Sequence, residues 1–138
     1  MSVNPDYHYG RSEAAHTHAY LMPVVEKVLA SIGRDKSIFE LGCGNGATAA
    51  HLTSKGYKIV GVDPSESGIA IAKESFPECR LELGSTDDDL AGQYGEFDVI
   101  LSLEVVEHVY SPKRYVETIR ALLKPGGVRL SARRITAI

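Results

Sequence analysis

The chain has 138 residues, 43% hydrophobic and 24% charged, with a formal net charge of −3. That is enough for one domain with a real core. The charge gives no overall pull toward nucleic acid or an anionic membrane. No stretch approaches the roughly 18 apolar residues of a membrane span, and the start, Met-Ser-Val-Asn-Pro-Asp, lacks the basic-then-apolar pattern of a signal peptide.

Residues 1–11 are polar and aromatic and read as a flexible lead-in to a single domain spanning 1–138. Ser12 and Glu13 start a helix to about Ile32, with Leu21, Val24, Val25, Val28 and Leu29 on one face and Gly33 as its C-terminal cap. The first strand is Ser37–Leu41. A helix of small residues follows from Ala47 to about Lys55, closed by Gly56. The second strand is Lys58–Asp63, and Pro64 and Ser65 open a helix to about Ser75 carrying Ile69, Ala70, Ala72 and Lys73. A third strand, Arg80–Leu83, leads into an acidic turn at 84–89. Phe97–Leu103 is apolar almost throughout, as a strand buried on both faces should be. Ser111 and Pro112 cap a last helix with Val116, Ile119, Leu122 and Leu123 inward. Lys124-Pro-Gly-Gly127 stops it, and a fifth strand runs Val128–Ala132. Strand and helix alternate after the first helix. The expected class is α/β, a doubly wound, Rossmann-like, mainly parallel sheet with helices on both faces.

Two segments carry the chemistry. Glu40-Leu-Gly-Cys-Gly-Asn-Gly46 puts glycines at alternate positions just after a strand, where backbone can approach a ligand. Asp63 ends the next strand with a carboxylate suited to the hydroxyls of a ribose. Together they point to a nucleoside-containing cofactor across the ends of two parallel strands. The usual dinucleotide turn is Gly-x-Gly-x-x-Gly, whereas these glycines are at 42, 44 and 46, which argues against a nicotinamide-dependent dehydrogenase. Each residue also has a plainer use. The glycines can form only a tight turn, Glu40 can be a surface residue, and Asp63 can cap the helix after it. Asp87, Asp88 and Asp89 read as a solvated turn and helix start. Cys43 reads as a small turn residue, and it and Cys79 form no disulfide framework, which suits a reducing cytoplasm.

Four segments in order resemble the class I S-adenosylmethionine-dependent methyltransferases. They are Glu40–Gly46, Val62-Asp63-Pro-Ser, Phe97-Asp-Val-Ile-Leu-Ser-Leu-Glu-Val-Val-Glu-His108 and Leu122-Leu-Lys-Pro-Gly-Gly127. Leu103–His108 most resembles the small-molecule O-methyltransferases of the 3-demethylubiquinone type. The resemblance implies methyl transfer by in-line displacement to a small-molecule acceptor, at oxygen, with S-adenosylhomocysteine as the spent cofactor. It implies that Gly42, Cys43, Gly44 and Gly46 form the cofactor turn, with backbone at 42–44 against the methionine part. Glu40 would engage the cofactor's amino group and Asp63 both ribose hydroxyls. Charged hydrogen bonds of that kind are worth about 1.5–3 kcal/mol each. Pro64 or Ser65 would lie against the adenine, Ser85 and Thr86 would meet its edge, and the Leu103 carbonyl would receive the amino group.

Glu104, Glu107 and His108 share one face if helical. His108 is a candidate general base for a phenol, and the trio a candidate magnesium site; the alternative is that the glutamates face water and His108 only lines the pocket. Tyr7, His8, Tyr9, His16 and His18 suggest an N-terminal segment over the substrate. The family sheet has seven strands, and five exhaust this sequence. The last, Val-Arg-Leu-Ser-Ala-Arg-Arg-Ile, alternates as an edge strand does. This reads as a truncated or altered C-terminus, with a homodimer through residues 128–134 as one consequence. A cofactor-binding module without a complete acceptor site is the alternative to an enzyme.

Overall fold

The computed structural model describes residues 11–103 and 111–131, with side chains from Tyr20 onward. The elements run α1 (Arg11–Ile32), β1 (Ser37–Leu41), α2 (Ala47–Ser54), β2 (Lys58–Asp63), α3 (Glu66–Ser75), β3 (Arg80–Leu83), α4 (Leu90–Tyr94), β4 (Phe97–Ser102), α5 (Pro112–Leu122) and β5 (Leu123–Ser131). The five strands form one sheet in the order β3-β2-β1-β4-β5, every pair parallel. The order reverses between β1 and β4. Ligands of such sheets bind in the crevice outside the carboxyl ends at that reversal.

Alternation along β1 separates the two faces. Ile38 joins Val99 and Leu101 against Met22, Val25 and Leu29 of α1 and Leu52 of α2. Phe39 and Leu41 join Val62 and Ile100 against Leu90 of α4 and Tyr115, Ile119 and Leu122 of α5. The small residues of α2 and α3 let those helices lie close to β3, with Ala49, Ile69 and Ala72 packed on Leu81. Phe39 is the centre of an aromatic group, its ring 5.1 Å from Phe97 and 5.5 Å from Tyr94.

Both predicted inward faces need correction by one position. On α1, Leu21, Met22, Val25 and Leu29 are buried, while Val24 is 42% exposed. On α5, Tyr115 takes the inward place assigned to Val116. Its ring packs in the core and its hydroxyl donates to the Ser102 Oγ, so the polar end is satisfied there. Ser65, not Pro64, adjoins α3: it is the N-cap, its Oγ accepting from the Gly68 N–H at 3.0 Å, and Pro64 stands outside the helix. Ala70 and Lys73 face outward. The acidic turn alone marks the start of α4; Asp89 caps it by accepting from the Gly92 N–H at 3.0 Å. β4 ends at Ser102, one residue before Leu103. β5 begins at Leu123, so Lys124–Gly127 does not separate helix from strand. Phe97 pairs with Leu123 and Val99 with Val128, and the extra β5 residues bulge out, with Gly126 at φ 79°. Among the described strands β5 is an edge, half-buried along Val128–Ser131, as its alternation suggests.

Candidate cofactor site

The turn after β1 is tied down at several points by its own backbone. The N–H groups of Gly42 and Cys43 both donate to the Val62 carbonyl, at 2.8 and 2.9 Å, and Gly46 N–H donates back to the Cys43 carbonyl at 2.9 Å. Gly42, Gly44 and Gly46 have φ of 88°, 55° and 85°, the left-handed region that costs other residues energy. These bonds turn the chain sharply over the end of β2 without a side chain on its outer surface at 42 or 44.

Asp63 locks this turn to the next helix. It is 2% exposed. One carboxylate oxygen, Oδ2, accepts from Gly44 N–H at 2.9 Å, and the other, Oδ1, accepts from Ser65 N–H at 2.9 Å. The second bond is an Asx turn, the local motif that Asp favours before a helix. A carboxylate can accept at about four lone-pair sites. The main-chain carbonyl of Asp63 accepts from Gly84 N–H at 3.1 Å, which brings the loop after β3 into the same unit.

Glu40 is buried, 3% exposed, and pairs in register with Gly61 of β2 and Leu101 of β4. The Cys43 side chain turns inward over Gly61. A Cβ at Gly61 would stand 2.8 Å from the Cys43 Cβ and 3.0 Å from Leu81. Burial raises the Cys43 thiol far above its ordinary range, and the charges of Glu40 and Asp63 raise it further. The thiol is therefore held as an inert packing group, and only backbone at Cys43 can face a ligand. Gly46 also serves packing: a Cβ there would lie 2.6 Å from Leu81 Cδ1 and 3.2 Å from the Ala72 Cβ.

Ser85 and Thr86 are half-buried in the loop after β3. Within that loop Ser85 N–H donates to Asp88 Oδ2 at 2.9 Å, Asp87 N–H to Ser85 Oγ at 3.1 Å, and Asp88 N–H to the Ser85 carbonyl at 3.1 Å. None of these bonds uses the Thr86 N–H. The acidic residues are thus the loop's own scaffold, as well as being exposed. Leu103 follows β4 and packs its side chain on the Ile38–Val99 cluster. Pro64 is exposed, and Ser65 has its hydroxyl committed to the α3 cap.

The candidates therefore gather at the carboxyl ends of four neighbouring strands: Ser85 and Thr86 after β3, Asp63 on β2, Glu40 to Gly44 on β1 and Leu103 after β4. Glu104, Glu107 and His108, with Tyr7, His8 and Tyr9, lie outside the described residues, and no side chain is described for His16 and His18. Sequence reasoning did not find the bonds that brace the site from α5. Tyr115 meets Ser102, Arg114 meets Asp87, and Thr118 meets Thr86, contacts 13, 27 and 32 residues apart in the chain. Only the helical spacing of 114, 115 and 118 hints at them.

The sequence profile of the methyltransferase domain matches residues 13–132. The chain belongs to the S-adenosylmethionine-dependent methyltransferases. Over 96 residues this methyltransferase domain is 38% identical to the ubiquinone biosynthesis O-methyltransferase of Roseobacter denitrificans, a match covering 67% of the chain and 39% of the relative. The domain spans less than half the length of the curated relatives it matches. The PH0226 protein of Pyrococcus horikoshii has the same fold at a TM-score of 0.73 and 24% identity, covering 94% of this chain and 62% of that one. So does CalS10, an amino pentose methyltransferase of Micromonospora echinaspora solved with S-adenosylmethionine bound, at a TM-score of 0.69 and 23% identity, covering 91% and 56%. The arrangement of this methyltransferase domain suits its family's cofactor. It offers a side-chain-free turn and buried carboxylates on β1 and β2. Among the described residues no helix is long and apolar enough to cross a membrane.

Proposed function

We propose that the domain binds S-adenosylmethionine across the ends of β2, β1 and β4 and transfers its methyl group to an oxygen of a small-molecule acceptor. The observation that carries this reading is the joining of the glycine turn and Asp63 into one hydrogen-bonded unit beside the reversal of the strand order. The bound cofactor supplies an activated methyl on a sulfonium, so the chain's task is to bind, align and exclude water. In this reading Gly42–Gly44 backbone lies along the methionine part and Glu40 balances its amino group. The Asp63 carboxylate takes the ribose hydroxyls. Pro64 covers one side of the adenine, and the Thr86 N–H and Ser85 meet its edge. The Leu103 carbonyl receives the amino group. Ser65 and Gly46 act on the site by building it.

The choice of oxygen rests on the relatives named ubiquinone biosynthesis O-methyltransferases and on the similar Leu103–His108 segment. His108 serves there as the base for a phenol. Magnesium on Glu104, Glu107 and His108 is a separate part of the reading. Net charge −3 supports a small-molecule acceptor over nucleic acid, and the free Cys43 and Cys79 support a cytoplasmic setting. The β5 edge supports a homodimer.

Calorimetry with S-adenosylhomocysteine, with NAD as control, tests the cofactor half; no heat with the former rejects it. Transfer of labelled methyl to catechols and hydroxybenzoates, with magnesium or with EDTA, tests the rest. A rate indifferent to both additions removes the metal. A second reading is a module that binds the cofactor and transfers nothing. Tight S-adenosylhomocysteine binding with no transfer to any phenol would favour it.

A further inference from the structure

The loop after β3 is held by a helix that has no place in the cofactor site itself. α5 begins at the Ser111 N-cap, whose Oγ accepts from Arg114 N–H at 3.3 Å. From its first turn Arg114 Nη1 reaches Asp87 Oδ1 at 2.5 Å. One turn on, Thr118 Oγ1 donates to the Thr86 carbonyl at 3.3 Å. Between them Tyr115 points into the core and donates to Ser102 Oγ, at the end of β4. On its other side the loop is fixed by Gly84 N–H on the Asp63 carbonyl. Residues 84–87 are thus strapped between the end of β2 and the first two turns of α5.

This matters for binding because Asp87 to Asp89 of the loop are exposed and the loop is otherwise held by short local bonds. Asp87 and Arg114 are 73% and 57% exposed. An ion pair that open adds little to global stability. It can still reduce the freedom of a loop that a ligand must order, which strengthens binding by preorganisation. We infer that Arg114 and Thr118 are positioning residues for the nucleoside end of the cofactor. They set Ser85 and Thr86 against Asp63 without touching the ligand. The inference rests on the cofactor reading above.

Two measurements on the whole chain test it. Hydrogen exchange without ligand reads the strap directly, at the amides of 86–88. Calorimetry with S-adenosylhomocysteine reads its consequence. Arg114→Met is expected to speed exchange at those amides and to weaken binding about fivefold, with the melting temperature unchanged. Thr118→Val, nearly isosteric, should act in the same direction. The exchanged pair Asp87→Arg with Arg114→Asp should restore binding, because only the ion pair is rebuilt. Unchanged exchange and affinity in Arg114→Met overturn the inference. So does a loss of affinity that follows a fall in melting temperature and is not restored by the exchanged pair. A wild-type chain that binds no S-adenosylhomocysteine overturns the cofactor reading, and this inference with it. A wild-type chain that binds while Arg114→Met binds equally well overturns the inference alone.

Discussion

Replacing Asp63 should cost stability and ligand binding separately, and the two costs can be read apart. The carboxylate is 2% exposed and accepts two backbone N–H bonds of 2.9 Å, from Gly44 and Ser65. Asp63→Ala removes both acceptors and leaves two N–H groups in a site closed to most water. An unsatisfied buried donor costs about 1–3 kcal/mol. Two of them therefore predict a loss of about 2–6 kcal/mol, a large part of the roughly 5–15 kcal/mol that holds a domain folded. Asp63→Asn keeps one carbonyl oxygen and turns the other position into a donor facing a donor, so it should fall between wild type and Ala. Urea unfolding followed by circular dichroism measures this. Calorimetry with S-adenosylhomocysteine, done where circular dichroism shows each variant folded, measures the rest. Asn should bind more weakly than wild type, since one hydroxyl acceptor is lost. A shift below about 0.5 kcal/mol in Asp63→Ala would refute the anchoring role, because surface changes of no consequence lie in that range. Wild-type affinity in folded Asp63→Asn would refute the ribose role while leaving the anchor intact.

Three other outcomes follow from the same geometry. Gly46→Ala should lower stability by about 2–4 kcal/mol, since φ 85° disfavours a side chain and the new Cβ meets Leu81 at 2.6 Å; an unchanged urea midpoint would deny that packing. Cys43 should resist iodoacetamide in the folded chain as pH rises through the usual thiol range, because burial holds its pKa far higher, whereas it should react at once in urea. Mass mapping of labelled peptides checks this, and rapid labelling at Cys43 without unfolding would sink it. Asp98 is held below the usual carboxylate range, chiefly by the Ser37 N–H at 2.9 Å, with the Ser37 hydroxyl and Lys124 adding to it. A depressed folded pKa gives stability that is present above the unfolded value and lost as pH falls through the folded one. Acid unfolding of Asp98→Asn should lack that part of the pH dependence, and coincident acid curves for variant and wild type would contradict it.

What could be read ahead of the structure follows from how local each signal was. β1 and β2 have their expected bounds because apolar runs there meet glycine and aspartate on both sides of a sharp turn. Leu90–Tyr94 has one buried residue, Leu90, and so no period to reveal a helix; its cap, Asp89, was hidden in a run of three aspartates. On α5 the exchange of Val116 for Tyr115 turns on a single distant partner, Ser102, which gives the tyrosine hydroxyl a place inside. Lys124-Pro-Gly-Gly127 has the composition of a turn, and the pairing of Phe97 with Leu123 makes it a bulge within a strand.

The cofactor residues show the same division between local and distant signals. Asp63 was visible as a carboxylate at a strand end, since that needs only the strand. Its grip on Gly44 is a contact across 19 residues, visible only once β1 and β2 lie side by side. The glycine turn and Asp63 thus act as one part. Any change that loosens the turn should move the ribose acceptor, and any change at the acceptor should loosen the turn. Gly46→Ala offers a direct test of that coupling, since it alters neither Asp63 nor the outer surface of the turn at 42–44. It should weaken S-adenosylhomocysteine binding through the displaced turn, and a destabilised chain with undiminished affinity would show that turn and acceptor are independent after all.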